Sequence, residues 1–113
     1  MTGDRLRVVV VDDHRLLAQS LAISLRQEGI DCSVATLAAP DELVGSVVAE
    51  RPDVVLLDLD LGPVSRDGVA LVAPLTRAGC RVVLVTASTD PVRLATALSD
   101  GAVEEVVRAC ASG

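Results

Sequence analysis

The chain has 113 residues, half of them apolar, and a formal net charge of -6. That is enough for one compact domain with its own core, too apolar for a disordered segment, and too acidic to offer the basic surface that nucleic-acid phosphates require. Phe, Tyr and Trp are absent and all ten basic residues are Arg, so the core has to be assembled from Val, Leu, Ile and Ala.

The first apolar run, Leu6–Val11, is followed at once by Asp12, Asp13 and His14, and acids so early exclude a signal peptide. Its VVVV, the VVLL of Val54–Leu57 and the VVLV of Val82–Val85 are apolar on consecutive residues, which predicts strands buried on both faces of a parallel sheet. Leu17, Leu21 and Leu25 recur every four residues and predict a first helix that buries those leucines and stops at Gly29. A second strand is predicted over Cys32–Thr36. The second helix should start at Pro40, with Asp41 and Glu42 in the first turn, where negative charge suits the helix dipole. Leu43, Val44, Val47 and Val48 form its buried stripe, and Pro52 lies beyond its end. A third helix is predicted over Gly68–Ala78, kinked or shortened by Pro74. Asp90 as N-cap and Pro91 at the first helical position open a fourth, which Gly101 ends. The last strand is predicted over Val103–Val107.

The order βαβαβαβαβ with right-handed crossovers implies an α/β domain, a parallel sheet with helices on both faces. A fifth helix would complete such a domain. Too few residues follow Val107, so the last helix is expected to be missing or truncated. One flank of the sheet beside the first helix should then be exposed, with self-association as the result. No apolar run approaches the ~20 residues of a membrane span. Cys32, Cys80 and Cys110 are odd in number and far apart, so neither a disulfide framework nor a zinc site is expected, only small buried thiols in a reducing cytoplasm.

The polar residues that follow the strands carry the chemistry. Asp12 and Asp13 follow the first, Asp58 the third, Thr86 the fourth and Arg108 the fifth. The carboxyl ends of the strands line the edge where open α/β sheets bind ligands. Three close carboxylates either raise a pKa or recruit a divalent cation. Mg²⁺ fits best, because it takes oxygen ligands and keeps positions for water and phosphate. Asp58 can attack phosphorus as an oxygen nucleophile, Thr86 can donate to a phosphoryl oxygen, and Arg108 can supply positive charge to another. Singly, each has a plainer role. Asp13 can cap the first helix, Asp58 can end a strand, Thr86 is a common strand residue, and Arg108 reads as a solvated charge. His14 reads as a helix-start surface residue and Asp60 as a loop residue. Only the set is specific.

The segments VVVVDDH, DVVLLDLDL, VVLVTA and GAVEEVVR resemble the receiver domains of bacterial two-component response regulators over nearly the whole chain. DDHRLLAQSLAISL is further similar to the NarL/LuxR-type receivers. The resemblance implies a flavodoxin-like three-layer fold with a five-stranded sheet of order 2-1-3-4-5, and residues 1–113 as one receiver domain. It implies phosphoryl transfer to Asp58 from a sensor histidine kinase, with Mg²⁺ held by Asp13, Asp58 and the backbone carbonyl of Asp60, and Asp12 nearby. It also implies a cytoplasmic, dimer-forming regulator of transcription, not an enzyme, which reaches DNA only through an output domain absent from this chain. Some positions depart from the family pattern. Arg108 stands in place of Lys, which is not a conservative exchange. Glu105 stands in place of an aromatic, and Ala109 lacks the Pro often found there. Gly68 follows Asp58 by ten positions, where the family has about eight, so the loop Gly62–Asp67 is expected to be longer. These departures leave open an atypical pseudo-receiver, a phosphorylation-independent dimerisation or partner-docking module. A small FMN or nucleotide binder ranks last, because the carboxylates of DDHRLL repel phosphate unless a metal intervenes.

Overall fold

The computed structural model describes residues 5–65, 67–86 and 90–102, together with the backbone of 104–107. Arg108, Ala109, Cys110 and the position of a last helix lie outside the described residues, as does the side chain of Glu105.

Ten elements follow one another: β1 (Arg7–Val11), α1 (Arg15–Gln27), β2 (Asp31–Val34), α2 (Pro40–Ala49), β3 (Val54–Leu57), α3 (Gly62–Ser65), α4 (Val69–Arg77), β4 (Arg81–Thr86), α5 (Pro91–Ser99) and β5 (Glu104–Val107). The strands form one five-stranded parallel sheet in the order β2-β1-β3-β4-β5. The chain therefore winds to one side of β1 and then to the other, and the reversal falls between β1 and β3. Val11 is paired with Leu57 there, and the amide of Asp58 continues the ladder onto the Val11 carbonyl at 2.9 Å. Asp12 and Asp58 are thus neighbours because their strands are in register.

The larger core lies on one face, where α2, α4 and α5 bring Leu43, Val47, Leu71, Leu75 and Ala97 onto Val55, Leu57, Val82 and Leu84. On the other face α1 packs on β1 and β2. Two expectations change here. Ala18 and Ala22 are the fully buried residues of α1, while Leu17 is 40 % exposed and Leu21 and Leu25 are only partly covered. Small side chains at the contact let the helix lie close to the sheet, and the leucines spread along its flanks. β1 is buried on both faces, but β3 and β4 alternate: Val54, Leu56, Val83 and Val85 are only half-buried. Among the described residues, α1 is the only helix on that side.

The local signals explain most of the rest. Asp90 caps α5 by accepting the Val92 amide at 2.9 Å, and Pro91 takes the first helical position. Leu43 and Val47 are buried on α2, with Val44 and Val48 packed beside them. Pro74 lies inside α4, and Gly68 is that helix's N-cap. The long connection after β3 is not a bare loop. It contains the one-turn helix α3, whose buried Ser65 donates a 2.7 Å hydrogen bond to the Ala38 carbonyl. An antiparallel bridge between Asp60 and Asp67 closes its base.

Candidate functional site

Asp12 and Asp58 are two of the few buried polar residues, 7 % and 1 % exposed. Burial of carboxylates at a sheet edge costs free energy unless hydrogen bonds, charges or a cation compensate. Part of the compensation comes from backbone amides. Asp58 Oδ1 accepts the amide of Asp60 at 3.0 Å, a tight turn that locks the carboxylate at the strand end. Asp12 Oδ1 accepts the amide of His14 at 2.8 Å, so Asp12, and not Asp13, organises the entry to α1. His14 is the N-cap of that helix, and no side chain caps it. Asp13 is accordingly left to face the site. Its Oδ2 lies 3.6 Å from where a Cβ on Gly62 would stand, across the loop that follows β3. Thr86 ends β4, the strand beside β3, and is fully buried.

The structure thus brings Asp12, Asp13 and Asp58 together and places Thr86 at the same edge of the sheet. It adds one residue that the sequence reading had set aside. The ring Nδ1 of His14 is 3.1 Å from Asp12 Oδ1, 3.2 Å from Asp13 Oδ1 and 3.9 Å from Asp58 Oδ2. Its place directly after two acids in DDH was the available signal; only the turn held by Asp12 folds the ring back over them. One ligand atom from each of Asp12, Asp13, His14 and Asp58 falls within 4.8 Å of the others. A small hard cation with bonds of about 2.1 Å holds opposite ligands about 4.2 Å apart. The donor set is mostly carboxylate oxygen, so the residues present fit a divalent cation such as Mg²⁺ with little rearrangement. A cleft of about 380 Å³ opens beside the cluster, lined by Asp12, Asp13, Arg15 and Gln19 on one side and residues 34–37 on the other.

Asp60 stands at the rim. Its side chain is taken up by Arg93 of α5 at 2.9 Å. The same guanidinium donates to the Leu59 carbonyl at 2.9 Å and to Asp67 at 3.0 Å. The hydrogen bond to Asp67 is the main influence raising the Arg93 pKa, against opposing desolvation. Sequence reading missed Arg93. The signal was a cation in the first turn of a helix, where the dipole disfavours it and only nearby acids make it welcome. Cys32 and Cys80 are buried free thiols, and burial raises the pKa of both. They take no part in the site.

Comparison with known proteins agrees with this geometry. The family model of the response regulator receiver domain matches residues 8–112. The chain is 38 % identical over 104 residues to the DNA-binding response regulator MtrA of Mycolicibacterium smegmatis, covering 92 % of this chain and 44 % of that protein. It therefore spans less than half the length of such curated relatives. Among solved structures, it is similar to a Burkholderia pseudomallei response regulator with a phosphorylated aspartic acid, a calcium ion and citrate, at 25 % identity and a TM-score of 0.80, covering 93 % of this chain and 61 % of that one. It is similar too to the signal receiver domain of a modulated diguanylate cyclase from Desulfovibrio desulfuricans G20, at 27 % identity and a TM-score of 0.81, covering 96 % and 86 %. No helix among the described residues is long and apolar enough to cross a membrane.

Proposed function

We propose a phosphoryl-operated switch, starting from the fact that this chain belongs to the response regulator receiver domain family of two-component systems. Asp58 is the phosphoacceptor and a sensor histidine kinase is the donor. The observation that carries the reading is the setting of Asp58: fully buried at the end of β3, with Oδ1 fixed by the Asp60 amide and Oδ2 facing the cluster of Asp12, Asp13 and His14. A carboxylate held this way is oriented for in-line attack without further ordering of its side chain.

The reaction is a displacement at phosphorus. An Asp58 carboxylate oxygen forms the new P–O bond, and the P–N bond to the kinase histidine breaks, so the imidazole leaves with the electron pair. Asp12, Asp13 and Asp58 would hold Mg²⁺, with the Asp60 carbonyl as a further oxygen ligand. Bound there, the ion would offset the charge of the acids and polarise the phosphoryl group. The Thr86 hydroxyl donates to a second phosphoryl oxygen and Arg108 supplies charge to a third. The phosphoryl group biases the loops after β3 and β4, together with α5, between two arrangements. The domain acts as a switch and not as an enzyme. It works in the cytoplasm as a homodimer, with DNA reached through an output domain elsewhere in the protein. DDHRLLAQSLAISL supports assignment to the NarL/LuxR type.

A second reading has specific support from Arg108 and Glu105, which replace the usual Lys and aromatic. It makes the chain a pseudo-receiver, docking or dimerising without phosphorylation. Incubation with acetyl phosphate and Mg²⁺ followed by intact-mass measurement separates the two. We expect one phosphoryl adduct on the parent chain and none on Asp58→Asn. A folded parent chain that gains no adduct refutes the switch and leaves the docking module.

A further inference from the structure

Among the described residues, Arg93 donates to Asp60, Asp67 and the Leu59 carbonyl, all in a segment some 30 residues earlier, and the side-chain and main-chain bonds have different consequences. The bonds to Asp60 and Asp67 span the base of the excursion that carries α3. The bridge sets these two acids side by side, where their like charges repel unless a cation lies between them. The bond to the Leu59 carbonyl ties the same guanidinium to the main chain that links Asp58 to Asp60. The Asp60 amide in turn holds Asp58 Oδ1 at 3.0 Å. Two hydrogen bonds joined by the Leu59–Asp60 peptide therefore connect α5 to the carboxylate in the acid cluster. Arg suits this position because its rigid planar fork holds several acceptors in fixed directions, whereas the three donors of Lys rotate on a flexible stem.

We propose that Arg93 is a positioning residue for the acid site: it clamps the base of the 61–66 excursion, fixes the Asp60 main chain beside Asp58, and makes α5 a mechanical partner of the site. The proposal rests on the reading of the cluster as a divalent-cation site.

Charge alone and positioning predict opposite signs. Arg93 is a cation near an acidic site, so its removal as a charge should tighten Mg²⁺ binding. As a clamp, its loss lets the Asp60 main chain wander and weakens binding. Residues that orient metal ligands from behind typically contribute about 10–100-fold in affinity. The experiment is titration calorimetry of Mg²⁺ into the full chain, with amide hydrogen exchange over residues 58–68 in the metal-free state. The variants are Arg93→Ala, Arg93→Lys and Leu75→Ala, the last loosening the core without touching the clamp. We expect Arg93→Ala to weaken Mg²⁺ by about tenfold and to lose protection at Asp60 and Gly68. Arg93→Lys should fall between it and the parent, and Leu75→Ala should leave Mg²⁺ affinity unchanged. Unchanged or tighter Mg²⁺ binding by Arg93→Ala, or unchanged exchange at Asp60, overturns the clamp. Absence of Mg²⁺ uptake by the parent chain overturns the cation reading on which it rests.

Discussion

Replacing Gly68 by Ala sets two physical effects against each other, and the structure says which wins. Gly68 has φ -62 and ψ -19, ordinary right-handed helical values, and precedes α4 directly. Backbone propensity alone predicts that Ala stabilises here by about 0.5–1 kcal/mol, because Gly loses more conformational freedom on folding. A Cβ at this position, however, would run into the Asp58 carbonyl oxygen and stand 2.9 Å from the Leu59 Cα. Both are main-chain atoms at the end of a buried strand, and Gly68 is already held there by a 2.7 Å bond from its amide to the Leu59 carbonyl. They cannot swing aside as a side-chain tip can. Overpacking of this kind costs about 1–3 kcal/mol, so the net expectation is a loss of roughly 1–2 kcal/mol, or a Tm lower by roughly 5–10 °C for a domain of this size. Two further glycines separate the contributions. Gly45, inside α2, would place a Cβ in open space with ordinary φ, so Gly45→Ala should raise Tm. Gly29 has open space but φ +86, so Gly29→Ala should lower Tm through backbone strain alone. Thermal unfolding followed by circular dichroism, with Mg²⁺ chelated, reads all three. A Gly68→Ala melt at or above that of the parent chain would refute the reasoning, and would mean that the end of β3 yields easily. The same displacement moves Asp58, so phosphoryl uptake from acetyl phosphate should fall along with Tm.

Other consequences are simpler. Leu75 of α4 is 1 % exposed in the larger core, and Leu75→Ala should cost about 2–5 kcal/mol, measured by urea unfolding; a loss below about 1 kcal/mol would mean the core collapses around the missing atoms. Burial raises the pKa of the Cys32 and Cys80 thiols above their unfolded values, so the folded state keeps protons that the unfolded state releases. Their contribution to stability is therefore full below the ordinary thiol range and declines as pH rises through and beyond it. Iodoacetamide at neutral pH should leave both unmodified until denaturant is added, and rapid native labelling at either position, located by peptide mass, would contradict that.

How much of this was legible from residues alone differs from element to element. The alternation of strands and helices, the start of α2 at Pro40 and of α5 at Asp90–Pro91, and the row of Asp12, Asp13, Asp58 and Thr86 at the ends of their strands could all be read directly. Each depends on interactions within a few residues: apolar periodicity, a cap, a fixed proline φ, the change from apolar to polar at a strand end. The burial of Ala18 and Ala22 in place of Leu17 could not be read that way, because the inward stripe of α1 is set by how closely the helix approaches β1 and β2. The half-burial of Val54, Leu56, Val83 and Val85 likewise depends on which helices lie over that face. The same holds for the site. Its acids could be listed from the chain, but the return of the His14 ring over them needs the turn geometry that Asp12 sets, and the grip of Arg93 on Asp60, Leu59 and Asp67 arises only when segments about 30 residues apart are brought to hydrogen-bond distance. Sequence determined which chemistry the strand ends carry, through forces that act along the chain. The fold alone decided which side chains meet, because that is set by the packing of one layer on another.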